Sequence, residues 1–204
     1  MKIGIINYNM GNLANVKNAF ETIGIKTIIE NNPSNIPNYD KLILPGVGAF
    51  GDAILNLQTT GMKEALIEHI KKGKYILGIC LGMQLLFEKS KEFGEHSGLE
   101  LMQGEIIKFE TKTLSIPHTG WNQCHFTSMG IQHPLVKNIQ DKTYLYFVHS
   151  YHATSINPTN LVAQCFYGEK FPAIVAKENI LGIQAHPEKS HQNGLKILSN
   201  FAAL

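Results

Sequence analysis

Short apolar runs alternate with longer amphipathic segments along the first half of the chain. The runs at 3–6, 26–29 and 41–44 are strand-length, and between the first two, positions 13–23 carry apolar residues at helical spacing. Strand, helix, strand with crossover connections is the pattern of a parallel sheet. Positions 53–72 read as helix interrupted near Gly61, followed by an apolar strand at 75–80 and a helix over 81–89. Strands this apolar need cover on both faces, so the expected class is α/β, with a mostly parallel central sheet and helices on both sides.

After Gly94 the pattern changes. Short β-rich pieces at 106–109, 143–148, 161–166, 173–176 and 180–184, separated by Gly, Pro and Asn turns, predict a smaller antiparallel region. A helix over 192–201 is expected to close against the sheet. No repeat or linker divides the chain, and its length fits one domain spanning 1–204.

Composition narrows the function classes. The 18 basic and 16 acidic residues are scattered, without the basic stripe a nucleic-acid surface needs. Lys71, Lys72 and Lys74 fall at an expected helix end, where cations complement the dipole. No stretch reaches the ~20 apolar residues of a membrane span, and a membrane partner is not expected. Three widely spaced cysteines fit neither a disulfide framework nor a zinc site, so a reducing cytoplasm is the expected setting.

The chemistry centres on Gly78-Ile79-Cys80-Leu81-Gly82. A cysteine between two glycines at a strand-to-helix junction is the thiol form of a nucleophile elbow, with small neighbours relieving a crowded turn. The helix after it is expected to favour the thiolate. Cys124 and Cys165 have no such context and read as packing residues. A base is available in Gln184-Ala185-His186-Pro187-Glu188, where a strand runs into His186, and Glu188 can orient the imidazole from two residues away. Attack on an amide also requires N–H groups for the developing oxyanion. The Leu81 amide and a Gly46-Val47-Gly48 loop after the strand at 42–44 are the sources in view.

These blocks resemble the class I glutamine amidotransferases, over nearly the whole chain. The match includes Met10 to Leu13, Pro45 to Phe50, the elbow, Pro117 to Asn122, Tyr146 to Tyr151 and His186 to Ser190. The resemblance implies that Cys80, His186 and Glu188 form a glutaminase triad acting on L-glutamine without metal or organic cofactor. It further implies Gly46, Val47, Gly48 and Leu81 as oxyanion donors, and Gln84, Glu92, Ser150 and Tyr151 as contacts for the amino-acid head group. Asn12, Trp121, Tyr146 and Lys189 look like residues facing a partner. The Gly-Trp-Asn and Phe-Val-His-Ser-Tyr blocks point to the branch serving a separate (β/α)₈-barrel cyclase in histidine biosynthesis.

The chain departs from the family pattern at Asn7, Asn9, Ala185 and His152. A related branch feeding sugar-amidating enzymes of surface-polysaccharide synthesis therefore stays open. So do a cysteine hydrolase of similar architecture and a subunit that binds without catalysis.

Overall fold

The computed structural model describes all 204 residues. Its first half runs β1 (Ile3–Ile6), α1 (Leu13–Thr22), β2 (Thr27–Glu30), β3 (Lys41–Gly46), α2 (Phe50–Thr59), α3 (Met62–Lys71), β4 (Tyr75–Cys80) and α4 (Leu81–Gln84). Then come β5 (Phe87–Ser90), β6 (His96–Ser97), β7 (Met102–Lys108), β8 (His118–Phe126), β9 (Thr143–His149) and β10 (Tyr151–Thr154). The chain finishes with β11 (Leu161–Tyr167), β12 (Glu169–Lys177), β13 (Ile180–Ile183) and α5 (His191–Ala203). No helix is long and apolar enough to cross a membrane.

Nine strands form one sheet in the order β2-β1-β3-β4-β13-β12-β11-β8-β9. Pairing is parallel from β2 through β13 and antiparallel from β13 to β9. The antiparallel part continues the same sheet rather than standing beside it, because β13 pairs parallel on one edge and antiparallel on the other. A second, four-stranded sheet has the order β10-β7-β5-β6.

Period-two alternation distributes the parallel strands between two cores. Ile3, Ile5, Ile43, Leu77, Ile79 and Ile183 pack with Phe20 of α1 and Leu198 of α5. The opposite face carries Ile6, Leu42, Leu44 and Ile76 against Leu57 of α2 and Leu66 of α3. Each such fully buried side chain contributes about 1.5–3 kcal/mol, so both helical layers are held by burial rather than helix propensity.

Four local expectations are corrected. The helix over 81–89 stops at Gln84, because Phe87 to Ser90 pair with β7 on one side and β6 on the other. The break at Gly61 is real, with φ of +72°, but the preceding helix begins at Phe50. Pro45 and Gly46 belong to β3, paired with Ile79 and Cys80, so the expected glycine loop begins only at Val47. Lys74 lies beyond α3, where its ammonium donates to the Pro37 and Tyr39 carbonyls.

Candidate active site

The carboxyl ends of β3, β4 and β13 lie side by side, with Gly46 opposite Cys80 and Ile183 opposite Ile79. Chain leaving β4 must turn at once, and Cys80 does so with φ of +55° and ψ of −114°. Such a conformation is strained for any residue but glycine and is kept only where the surroundings impose it. Gly82 supplies the room: a Cβ there would stand 1.7 Å from the Leu44 carbonyl oxygen. Tyr8 is wholly buried beneath the turn and donates its hydroxyl to the Pro45 carbonyl, 2.8 Å away. Burial, helped by the Cys80 charge, raises its phenol above the ordinary range, so it stays a neutral donor.

α4 is one turn long, so the dipole expected to favour a thiolate is small. The stronger influence comes from His186. Its Nδ1 lies 2.7 Å from Glu188 Oε1, with both side chains almost entirely buried. Its Nε2 is buried without a hydrogen-bond partner. Burial disfavours the imidazolium, but interactions with Cys80 and Glu188 outweigh it and push His186 up to about 10. His186 therefore favours the imidazolium, with Glu188 fixing the proton on Nδ1. His186 is itself anchored: its amide donates to the Tyr146 carbonyl, and Ser190 Oγ donates to the His186 carbonyl.

A cavity of about 860 Å³ opens over this pair, lined among others by Val47, Gly48, Leu81, Gln84, Glu92 and Tyr151. Gly48 has φ of +98°, a left-handed conformation that glycine adopts without strain. Leu81 opens α4, where backbone N–H groups have no partner within the helix. Glu92 is buried, and one carboxylate oxygen accepts the Phe50 amide at 2.7 Å. Burial raises its pKa, partly offset by that bond. Gln84 is also buried, its Nε2 3.0 Å from the Tyr151 carbonyl and 3.0 Å from Gln184 Oε1. Ser150 lines the cavity, as do Asn12 and Lys189.

A family model described as glutamine amidotransferase class-I matches residues 4–203. The chain belongs to that family. A protein from Sulfurimonas denitrificans named imidazole glycerol phosphate synthase subunit HisH is 56% identical, across 98% of this chain and 96% of its own length. A protein of the same name from Helicobacter hepaticus is 48% identical, across 100% of this chain and 99% of its own. Among solved structures, one described as PurLQS from Thermotoga maritima superposes with a TM-score of 0.76 at 17% identity, covering 99% of this chain and 97% of that one. At that identity it bears on the fold alone.

In this class I amidotransferase chain the residues expected to face a partner sit at the cavity rim and beside it. Trp121 is 44% exposed. It pairs in register with Tyr146, their rings 5.9 Å apart, and stacks on His191 at 4.9 Å. The Lys189 ammonium lies 5.8 Å from the Tyr146 ring. Cys124 and Cys165, the expected packing residues, are buried with their sulfurs 3.1 Å apart.

Two departures from the family pattern have local explanations. Asn9 adopts φ of +66°, which Asn tolerates, and its amide donates to Asn7 Oδ1. His152 is buried with its ring 4.4 Å from that of Phe109.

The structure also gathers residues that sequence reasoning left out. Gln184 is wholly buried, with Nε2 3.7 Å from Cys80 Sγ. His118 and His149 form a buried pair, Nδ1 to Nε2 at 3.1 Å, and His149 Nδ1 donates to the Tyr151 carbonyl at 2.8 Å. Burial holds both neutral, His118 down to about 4 and His149 to about 3. Gln184 had a usable signal, since it lies just past the end of β13 and two residues before His186.

Proposed function

We propose that this chain is the glutaminase subunit of imidazole glycerol phosphate synthase, hydrolysing L-glutamine to glutamate and ammonia and passing the ammonia to a cyclase subunit. The observation that carries this reading is Cys80 on its strained turn, sharing one cavity with a His186 already held by Glu188. The near full-length identity to proteins named HisH favours the histidine branch over sugar amidation.

In the proposed cycle the Cys80 thiolate attacks the side-chain amide carbon of glutamine. The C–S bond forms as the carbonyl electrons move onto oxygen, where amides at 46–48 and that of Leu81 receive the charge. His186, protonated at Nε2, gives that proton to the leaving nitrogen, and the C–N bond breaks to release ammonia. The neutral imidazole then takes a proton from water, which attacks the thioester; the C–S bond breaks and glutamate leaves. Glu188 stays ionised throughout, holding Nδ1–H.

Gln84, Ser150 and Tyr151 bound the head-group end in this reading, and the Glu92 carboxylate receives the substrate ammonium. Because burial raises the Glu92 pKa, protonation removes that charge above the ordinary glutamate range as pH falls. KM for glutamine should therefore climb on acidification earlier than an exposed carboxylate would allow. Glu92→Gln should raise KM roughly 10–100-fold and flatten that rise, given the ~1.5–3 kcal/mol of a charge-assisted contact. A KM for the variant equal to the native value would remove Glu92 from the head-group site.

The partner is proposed to be a separate (β/α)₈-barrel cyclase, docking on Asn12, Trp121, Tyr146 and Lys189. With Gly48 able to turn the oxyanion loop at small cost, the free subunit should be a poor glutaminase. Ammonia release should rise at least about tenfold on adding the cyclase and its nucleotide substrate, which corresponds to ~1.4 kcal/mol of barrier. Cys80-dependent turnover indifferent to that cyclase would redirect the chain to another acceptor.

A further inference from the structure

One polar side chain against Cys80 has no part in the proposed cycle. Gln184 is wholly buried between the nucleophile and Gln84, and its nitrogen has Cys80 Sγ as its hydrogen-bond partner, 3.7 Å away. A buried amide left half-satisfied is costly, so its orientation is informative.

That orientation follows from neighbours with no freedom of their own. The Tyr151 carbonyl only accepts, so the Gln84 atom 3.0 Å from it is the NH₂ group. The same nitrogen carries a second proton toward Gln184, 3.0 Å away, so the facing atom of Gln184 is its oxygen. The Gln184 NH₂ is thereby turned toward sulfur. His149 Nδ1, protonated where it meets the same Tyr151 carbonyl at 2.8 Å, fixes that carbonyl from the other side. Its Nε2 then accepts from His118 Nδ1, and His118 Nε2 accepts from Asn122, whose NH₂ is set by the Phe166 carbonyl at 3.0 Å. Every link from Asn122 to Cys80 has one consistent direction.

We propose that Gln184 is a catalytic residue of this site, its side-chain amide donating to the Cys80 sulfur and stabilising thiolate over thiol. The opposite contact shows why a donor is needed. The Val148 carbonyl lies 3.9 Å from Sγ, a partner for S–H but a repulsive dipole for S⁻. When Cys80 passes its proton to His186, the contact to Val148 turns unfavourable, and the Gln184 N–H offsets it without a proton-transfer step of its own. A hydrogen bond to the charged form favours that form. The inference rests on Cys80 as the nucleophile of the proposed function, yet it concerns the sulfur itself and does not require glutamine.

The test is the pH dependence of Cys80 alkylation by iodoacetamide in the full chain, for native protein, Gln184→Met and Gln184→Glu. Met removes the amide at similar volume, while Glu keeps an acceptor for Gln84 but presents negative charge to the sulfur. Both inflections should move to higher pH, with alkylation below the inflection slowed roughly tenfold for each unit moved. Gln184→Met with native melting temperature and native inflection would overturn the proposal.

If both variants fail to fold, the side-chain amide protons of Gln184 in the native protein decide by NMR. They should shift as Cys80 titrates and lose that shift in Cys80→Ala; an amide indifferent to the thiol in the native chain overturns the proposal. Displaced inflections in a protein that hydrolyses no glutamine even with the cyclase and its nucleotide substrate present would sink the proposed function and leave the Gln184 inference standing.

Discussion

Cys80→Ala lowers glutamine hydrolysis by roughly 10⁴-fold or more, measured as ammonia released in the presence of the cyclase partner. The covalent route needs a nucleophile at the end of β4, and neither other cysteine can substitute. Cys124 and Cys165 lie buried on β8 and β11 with their sulfurs directed at one another, and the contact to Cys165, helped by burial, holds the Cys124 thiol well above its usual range. Folding should be little affected, because Ala meets the same φ of +55° that Cys80 already adopts, and the change in stability should stay within about 1 kcal/mol. Retained turnover in this variant would mean the triad reading is wrong; lost turnover with lost structure would say nothing about chemistry, so both are measured together.

Gly82→Ala gives the converse result, with stability lost ahead of chemistry. A Cβ at that position stands 1.7 Å from the Leu44 carbonyl oxygen and 2.8 Å from its carbon, both backbone atoms of a central strand. β3 cannot retreat, since it is hydrogen-bonded to β1 and β4 and buried on both faces. The cost should be roughly 3–5 kcal/mol, at the severe end for one added methyl. Urea unfolding of the isolated chain measures it, with the midpoint moving and the slope preserved. A loss below about 1 kcal/mol would show that the elbow is looser than this geometry and that Gly82 is not what permits it.

The two variants separate functions that the sequence motif fuses. Gly78-Ile79-Cys80-Leu81-Gly82 reads as one elbow, but its glycines serve the turn and its cysteine the reaction. The sheet's parallel half was legible because β1, β3 and β4 are short apolar runs bounded by turns, which periodicity detects. The helix over 81–89 was misread for the opposite reason: segment 85–90 has no decisive local pattern, and its state is set by pairing with β7, some fifteen residues away. β8 was missed similarly, since Thr119, Trp121 and Asn122 alternate weakly and gain their strand from β9.

At the site, residue type and spacing singled out the groups proposed to react. Glu188, which orients His186, was legible with them, whereas Gln184 and the His118–His149 pair came only from three dimensions. His186 and Glu188 are two residues apart, so their 2.7 Å contact is local information. Gln84 and Gln184 are a hundred residues apart, and nothing in one dimension ties them. The same holds for His118 and His149, whose neutral state follows from burial in a core of Phe109, Phe147 and Phe171. Cys80 and His186 are also joined only by topology, and each was legible because it sits in a distinctive local motif, which Gln84, His118 and His149 lack.

One measurement bears most directly on a Cys80 glutaminase that feeds a partner. Glutamine labelled with ¹⁵N at its side-chain amide is supplied to the chain and its candidate cyclase, together with an excess of unlabelled ammonium, and the label in the imidazole product is read by mass spectrometry. The account predicts product carrying mainly ¹⁵N with native protein and mainly ¹⁴N with Cys80→Ala. Product matching the bulk ammonium ratio for both proteins would contradict it.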